Sequence, residues 1–251
     1  MVRLAANISM MFQEVDLLER FAQAAEVGFG AVEIHAPYDE AKEAVAAAAK
    51  RNGVEVVLLN VMPPVAAIPG REGEFREALT RSLDYAQAAG CRQLHCVAGP
   101  TGHPDAESAF VANLQWASEQ ARPRGVRLLL EPLNTRDNPG YFLIGTAQAR
   151  RIIEKVGSGQ VYLQYDVYHM QIMEGFLAET IKANLDLIRH FQIAGVPGRH
   201  EPDENQEVNY RYLLSLIDGL GFEGWVGCEY RPRGATVEGL GWARPYGFVR
   251  V

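Results

Sequence analysis

Four oxygen-bearing side chains recur where the predicted buried strands end. The segment LLLEPLN carries three leucines, typical of a strand buried on both faces, and Pro132 after Glu131 cannot donate a ladder hydrogen bond and so ends the strand. Three later segments, VYLQYD, LIRHFQ and WVGCE, end at Asp166, Gln192 and Glu229. Successive members lie 35, 26 and 37 residues apart, about one strand-helix-strand unit of roughly 30 residues each. The sequence therefore predicts four oxygen ligands at one end of one sheet.

Two glutamates, one aspartate and one glutamine form a donor set for a hard divalent cation. Oxygen-only ligands suit Mg²⁺ or Mn²⁺ better than Zn²⁺. Three carboxylates crowded together would raise one another's pKa values unless a cation offsets the repulsion. Any single strand-end acid could instead cap a neighbouring helix, but recurrence on four successive strands favours a metal site. We expect one bound divalent ion, Mg²⁺, with Mn²⁺ as the alternative.

Strand-like and helix-like patterns alternate along the whole chain. Eight short apolar segments alternate with helical stretches, and glycine ends most of those stretches. The expected helices include residues 146–156, 176–184 and 210–220, whereas the segment after the eighth strand is mostly loop. Eight such units predict a parallel sheet closed into a (β/α)8 TIM barrel. Active sites of these barrels lie at the carboxyl ends of the strands, where the four oxygen ligands are expected.

Length and composition favour one barrel domain over residues 1–251. A chain of 251 residues suits a single α/β barrel, and no linker or change in composition divides it. No apolar run approaches the roughly 18 residues of a membrane span, and an acid occurs too early for a secretory signal. We therefore expect a cytoplasmic protein without a membrane partner.

Charge and cysteine content exclude several other classes of protein. A net charge of −7 without a basic run argues against binding of nucleic acid, which requires clustered Lys and Arg. The three cysteines include no CxxC pair, which fits reduced thiols and argues against a disulfide scaffold or structural zinc. The sequence is compatible with a homo-oligomer as well as with a monomer.

Several motifs, taken in order, resemble the hydroxypyruvate isomerase family. They are PGREGEFREAL, LLLEPLN, YDVYHMQ, FQIAGVPGRHEP, EVNY and GWVGCEY, and the resemblance runs from ANISMMF nearly to the end of the chain. This family belongs to the sugar-isomerase and endonuclease-IV-like barrel superfamily. The resemblance implies that one divalent metal is bound by Glu131, Asp166, Gln192 and Glu229. It also implies that Glu131 and Glu229 are the paired acid and base.

The same resemblance implies two residues for substrate binding. His169 and Arg199 occupy positions at which related sugar isomerases and epimerases hold substrate oxygens. The guanidinium fork of Arg199 matches a carboxylate and makes it the first choice for an anionic substrate, with Arg231 second. Related epimerases commonly carry histidine at the third metal position, so Gln192 agrees with the isomerase branch.

Other polar residues near strand ends are weaker candidates for substrate contacts. Asn7 and Asn60 close strands one and three, and we expect them to hydrogen-bond substrate hydroxyls. His35 and His95 end or occupy strands two and four. Either histidine could line the pocket, although satisfaction in the core is the commoner situation. Of the two, His95 is kept among the candidate binding residues.

The implied reaction interconverts hydroxypyruvate and tartronate semialdehyde through a metal-stabilised enediolate. Moving a carbonyl between adjacent carbons needs a proton taken from one carbon and returned to the next. A metal stabilises the enediolate charge as a Lewis acid, while Glu131 and Glu229 on opposing strands move the proton. The expected substrate is a small anionic sugar acid.

Several other functions fit part of this pattern. A 2-oxo-tetronate isomerase, a ketose 3-epimerase and a keto-acid dehydratase share enolisation on a metal, so the motifs do not separate them. A DNA-repair endonuclease would need several zinc ions and a basic face, which six histidines and a net negative charge disfavour. A non-catalytic barrel that binds a sugar acid is disfavoured because binding alone requires no paired proton acceptors.

Overall fold

Eight parallel strands close into a barrel in the computed structural model, which describes residues 1–248. The strands are β1 (Arg3–Asn7), β2 (Ala31–Ile34), β3 (Glu55–Val61), β4 (Gln93–Cys96), β5 (Arg127–Leu130), β6 (Val161–Asp166), β7 (Ile188–Ile193) and β8 (Trp225–Cys228). Each strand pairs with its neighbours in chain order, and β1 pairs with β8. The predicted (β/α)8 TIM barrel is confirmed.

Helices follow the strands around the outside of the barrel. They are α1 (Leu17–Val27), α2 (Lys42–Asn52), α3 (Glu72–Ala89), α4 (Ala106–Ala121), α5 (Thr146–Val156), α6 (Val167–Met173), α7 (Leu177–Asn184), α8 (Tyr210–Gly219) and α9 (Thr236–Gly239). Helix α6, directly after β6, was not expected, and α9 occupies a region expected to be mostly loop. Over residues 1–248, no helix has the length and apolar character needed to cross a bilayer.

Strand alternation decides which side chains face the barrel interior. A small apolar cluster of Ala5, Ala31 and Val57 is separate from the main core, which lies between the sheet and the helices. Asn7 and Glu33 lie two residues further along β1 and β2, so they face the same side as Ala5 and Ala31. The interior therefore changes from apolar to polar toward the carboxyl ends of the strands.

Gly99 fits the loop after β4 closely against the loop after β3. The backbone N–H of Ala67 donates to the carbonyl of Ala98, with 2.8 Å between the two atoms. Gly99 itself has a φ of 91°, and a Cβ at this position would clash with the carbonyl oxygen of Pro64. Close approach of the two loops therefore requires glycine here.

We expect Gly99→Ala to lower the free energy of unfolding by about 1–3 kcal/mol, because alanine would be strained in this conformation and would push the loops apart. Gly73→Ala in α3 is the matched control, since within residues 1–248 its added Cβ would meet no atom closer than 4 Å apart from its chain neighbours and the nearby backbone of its own helix. Urea-induced unfolding of both variants measures the difference. An equal loss in the two variants would contradict this account of Gly99.

Candidate active site

Side chains from the carboxyl ends of the strands line one cavity of ≈ 320 Å³. The predicted site residues in its lining are Asn60, His95, Glu131, His169, Arg199 and Glu229. Asp166 and Gln192 are fully buried beside this lining. The barrel closure thus brings most of the predicted residues together at the expected end.

Glu131, Asp166 and His169 form a close group of potential metal ligands. One ligand atom from each lies within 4.8 Å of the others, and all three residues are buried. Oε1 of Glu131 has no hydrogen-bond partner among the described residues. A buried carboxylate oxygen without a donor needs a cation or a ligand to compensate its lost hydration. The group is therefore suited to hold a metal ion.

The hydrogen bonding of His169 makes it a donor toward this group. The backbone N–H of Asn134 donates to Nδ1 of His169, with 3.0 Å between the two nitrogens. A neutral imidazole in this network must carry its proton on Nε2. Nε2 lies 3.5 Å from Oδ2 of Asp166. Burial and, to a smaller extent, the positive charge of Arg199 lower the pKa of His169 to about 3. His169 is thus set to donate a hydrogen bond to an oxygen through Nε2.

Arg199 is a cation that the fold itself places among the carboxylates. Its Nη2 lies 2.8 Å from Oε2 of Glu229 and 3.4 Å from Oδ2 of Asp166. The residue adopts a φ of 56°, in the left-handed region that non-glycine residues rarely occupy. Backbone hydrogen bonds to Gly195 and from Arg231 hold it there. Strain kept in place in this way is typical of a functional site.

Burial and neighbouring charges give the carboxyl groups of Glu131, Asp166 and Glu229 different pKa values. Burial, with repulsion from Glu229 and Asp166, raises the pKa of Glu131 well above its usual range. Burial also raises the pKa of Asp166 to about 7, against the opposing effect of Arg199. Burial disfavours the charged form of Glu229 as well, but Arg199 and His35 outweigh it and lower the pKa of Glu229. One arginine cannot balance three carboxylates, and a divalent cation would complete the compensation.

His35 lies in the site, whereas a place in the core was expected. Its Nε2 is 2.5 Å from Oε1 of Glu229, and the ring lines the cavity. Burial acts to lower the pKa of His35, but the hydrogen bond and the attraction to Glu229 outweigh it and raise that pKa above its usual value. Its position in the sequence could have indicated a place in the site, because His35 directly follows β2 just as Glu229 directly follows β8.

His95 and Asn60 both line the cavity, as expected of substrate contacts. Neither ring nitrogen of His95 has a hydrogen-bond partner among residues 1–248, and burial lowers its pKa to about 3. His95 is therefore neutral, and its Nδ1 lies 3.3 Å from Oε2 of Glu131. Tyr141 and Asn138, from the loop after β5, also line the cavity and were not singled out in the sequence.

Three other candidates occupy different surroundings. Asn7 is buried away from the cavity lining, where its Nδ2 donates to Oε1 of Glu33 over 2.9 Å. Oε1 of Gln192 accepts a hydrogen bond from Nε2 of Gln164 over 2.6 Å. Arg231 is exposed and is not part of the lining. Asn7 and Arg231 therefore do not meet the cavity directly.

A larger cavity of ≈ 630 Å³ opens at the opposite end of the barrel. It is lined by Arg3 at the start of β1 and Trp225 at the start of β8, among others. None of the predicted metal or acid-base residues lines it. The chemistry of the side chains, rather than the size of the cavity, identifies the smaller cavity as the candidate active site.

The fold and this acidic cavity define a sugar-isomerase type of barrel. A family model for the xylose isomerase-like TIM barrel matches residues 21–246, and the chain belongs to this family. Over 98% of its length the chain is 44% identical to the 2-oxo-tetronate isomerase of Cupriavidus necator and covers 99% of it. It is 41% identical to the hydroxypyruvate isomerase of Escherichia coli over 98% of this chain and 100% of that protein.

A solved structure agrees with this placement. The crystal structure of an AP endonuclease, family 2, from Brucella melitensis superimposes with a TM-score of 0.95 at 46% identity. The alignment covers 98% of this chain and 99% of that one. With the relatives above, the resemblance seen in the motifs is confirmed, and the chain is an enzyme of the isomerase class.

We expect Mg²⁺ to stabilise the protein more as the pH rises. Asp166 has a pKa raised from 3.8 to about 7, so protons compete with a cation at this group below that pH. A raised carboxyl pKa also means that the metal-free fold loses stability as the pH rises from 3.8 to about 7, because ionisation is harder in the folded state than in the unfolded state. Thermal unfolding with and without Mg²⁺, at about pH 5 and about pH 8, measures both effects.

Asp166→Asn is the matched variant for this experiment, since it removes the titrating group and keeps the shape of the side chain. We expect Mg²⁺ to raise its unfolding temperature far less than that of the wild type at about pH 8. A wild-type protein that gains the same stability from Mg²⁺ at both pH values would contradict the account.

Proposed function

We propose that this enzyme interconverts hydroxypyruvate and tartronate semialdehyde, with Glu131 and Glu229 as the acid-base pair. The observation that carries the proposal is that the two glutamates, from the ends of β5 and β8, line one cavity together with the partly buried Arg199. The identity of 41% with the Escherichia coli hydroxypyruvate isomerase, over nearly the whole of both chains, supports the same substrate.

The two glutamates differ in a way that suggests their roles. The reaction removes a proton from C3 of hydroxypyruvate and returns one to C2, through an enediolate. Glu229 is held ionised by Arg199 and His35, so we assign it the removal of the C3 proton. Glu131, whose pKa is raised by burial, then delivers its own proton to C2, and the hydroxyl proton on O3 passes to O2, so that Glu229 ends protonated and Glu131 ionised. In the reverse direction the two residues exchange roles.

A divalent metal fits the oxygen donors of the site. We propose that Glu131, Asp166, Gln192 and Glu229 hold it, with Mg²⁺ as the first choice and Mn²⁺ as the alternative. The unpartnered Oε1 of Glu131 and the uncompensated negative charge support this set. When bound, the metal supplies Lewis-acid stabilisation of the negative charge that develops on the substrate oxygens.

Arg199 and the two buried histidines are proposed to hold the substrate, a small anionic sugar acid. Nε of Arg199 is buried without a hydrogen-bond partner in the described residues, and it is therefore available to a substrate carboxylate. Nε2 of His169 donates to a substrate oxygen, as its neutral form requires. Neutral His95 and Asn60 face the same cavity and complete the polar contacts.

We also propose a cytoplasmic location without nucleic-acid or membrane partners. The free, buried thiols of Cys91, Cys96 and Cys228 fit a reducing compartment. The net charge of −7 works against attraction to phosphate backbones.

A second candidate substrate is 2-oxo-tetronate. The 44% identity with the Cupriavidus necator 2-oxo-tetronate isomerase favours it. Its carbonyl shift is the same reaction on a molecule that carries one more carbon at C3. The same acid-base pair serves both substrates, so discrimination rests on the walls of the cavity, which include Leu133 and Tyr141.

Isomerisation in deuterium oxide separates the two substrates. We expect the purified enzyme with Mg²⁺ to convert hydroxypyruvate and to incorporate deuterium at the carbon that receives the proton, as detected by NMR. Comparison of kcat/KM for hydroxypyruvate and for 2-oxo-tetronate then identifies the preferred substrate. Conversion of 2-oxo-tetronate alone would replace hydroxypyruvate as the substrate, and conversion of neither would overturn the proposal.

Glu131→Gln and Glu229→Gln each test the acid-base pair. We expect a loss of about 10²- to 10⁴-fold in kcat, because each variant removes one proton carrier while it keeps the shape of the side chain. Glu55→Gln, at an exposed position at the other end of the barrel, is the matched control and should keep wild-type activity. Deuterium exchange at the wild-type rate in both active-site variants would show that other residues move the proton.

A further inference from the structure

Glu33 is a buried carboxylate inside the barrel that has no part in the proposed proton transfer. It lies on β2 and is 1% exposed. Its Oε2 is 2.6 Å from Nε2 of His190. Its Oε1 accepts hydrogen bonds from Nδ2 of Asn7 and from Nε2 of Gln192, each over 2.9 Å. A carboxylate is costly to bury, so this one requires a compensating role.

The hydrogen bonds of Glu33 continue to one of the catalytic glutamates. Oε1 of Gln192 accepts from Nε2 of Gln164 over 2.6 Å, and the same nitrogen of Gln164 donates to Oε2 of Glu131 over 2.8 Å. At the two ends of this chain, Oε1 of Glu33 and Oε2 of Glu131 each accept a hydrogen bond from an amide nitrogen. Each amide between them therefore has one favourable orientation. Glu33 directs the nitrogen of Gln192 toward itself and the oxygen of Gln192 toward Gln164.

The backbone makes room for this arrangement in two ways. A Cβ on Gly227 of β8 would overlap the carboxylate of Glu33, so the absence of a side chain there leaves the necessary space. The strand register also shifts between Val32 and Glu33 in β2 and between Leu163 and Gln164 in β6. Register shifts of this kind redirect side chains, and they often lie beside active sites. Both shifts fall next to members of the chain.

We propose that Glu33 is a positioning residue for the active site and acts through the orientation of two amides. By fixing Gln192, it presents the oxygen of that side chain, rather than its nitrogen, on the side of Glu131. By fixing Gln164 through Gln192, it holds Oε2 of Glu131 and leaves Oε1 free for the metal. This inference rests on the proposed function for the metal set, and it adds a residue that does not touch the substrate.

Glu33→Gln tests the proposal because it keeps the side-chain volume and removes the acceptor-only character. If the oxygen of the new amide at position 33 keeps the hydrogen bond to His190, its nitrogen faces the amide nitrogen of Gln192. We then expect the amide of Gln192 to rotate by about 180° to avoid two facing donors. We expect Mn²⁺ affinity, measured by calorimetry on the purified protein, to fall by about 10- to 100-fold, as for other residues that orient metal ligands. The kcat should fall with it, while Glu55→Gln matches the wild type in both.

A second substitution distinguishes orientation from a general loss of packing. Gln192→Glu alone places two carboxylates side by side and should also weaken Mn²⁺ binding. In the double variant Glu33→Gln/Gln192→Glu, the carboxylate at position 192 accepts from the amides at positions 33 and 164, which restores one orientation for the chain. We expect the double variant to bind Mn²⁺ at least tenfold more tightly than the weaker single variant, a strongly non-additive result.

Wild-type Mn²⁺ affinity and kcat in Glu33→Gln would overturn the proposal, as would a double variant no better than the weaker single variant. If Glu33→Gln alone does not fold, the Mn²⁺ affinities of Gln192→Glu and of the double variant are compared. Tighter binding by the double variant supports the proposal, and equal or weaker binding overturns it. A wild-type enzyme that isomerises substrate but binds no Mn²⁺ would overturn this inference and the metal set together. A wild-type enzyme that binds Mn²⁺ but isomerises neither substrate would overturn the proposed function alone.

Discussion

Repulsion among buried carboxylates is the constraint on which the rest of this site depends. Glu131, Asp166 and Glu229 are each about 95% buried or more, in surroundings that screen charge poorly. Arg199 compensates part of the negative charge through its contacts with Asp166 and Glu229. A strained backbone conformation is maintained to place that arginine. The remaining negative charge is what suits the site to the divalent cation that the proposed function includes.

A layer of hydrogen-bonded polar side chains lies inside the barrel, below the cavity. At the end near Ala5 and Ala31 the interior is filled by small apolar side chains. Above them, a layer of hydrogen-bonded groups links Glu33 through Gln192 and Gln164 to Glu131. In a dry interior such a chain has defined polarity, because a reversed amide would leave donors facing donors. The barrel therefore supplies orientation as well as position.

The sequence predicted the fold and the strand-end acids because both depend on local patterns. Apolar segments with a polar end residue recur along the chain, and parallel strands bring their ends to one place. The surroundings of His35, Asn7 and Glu33 could not be read in this way. Their contacts cross the barrel, and the register shift beside Glu33 leaves no clear mark in the sequence. Position at a strand end was a better guide for His35 than the usual behaviour of buried histidines.

The position of the bound ion is the most direct test of this account. Crystals of the protein grown with Mn²⁺ would show the metal by its anomalous scattering. The account predicts one Mn²⁺ in the cavity, bound by oxygens of Glu131, Asp166, Gln192 and Glu229, with His169 outside the coordination sphere. A metal bound directly by Nε2 of His169, or bound away from Glu131 and Glu229, would contradict it.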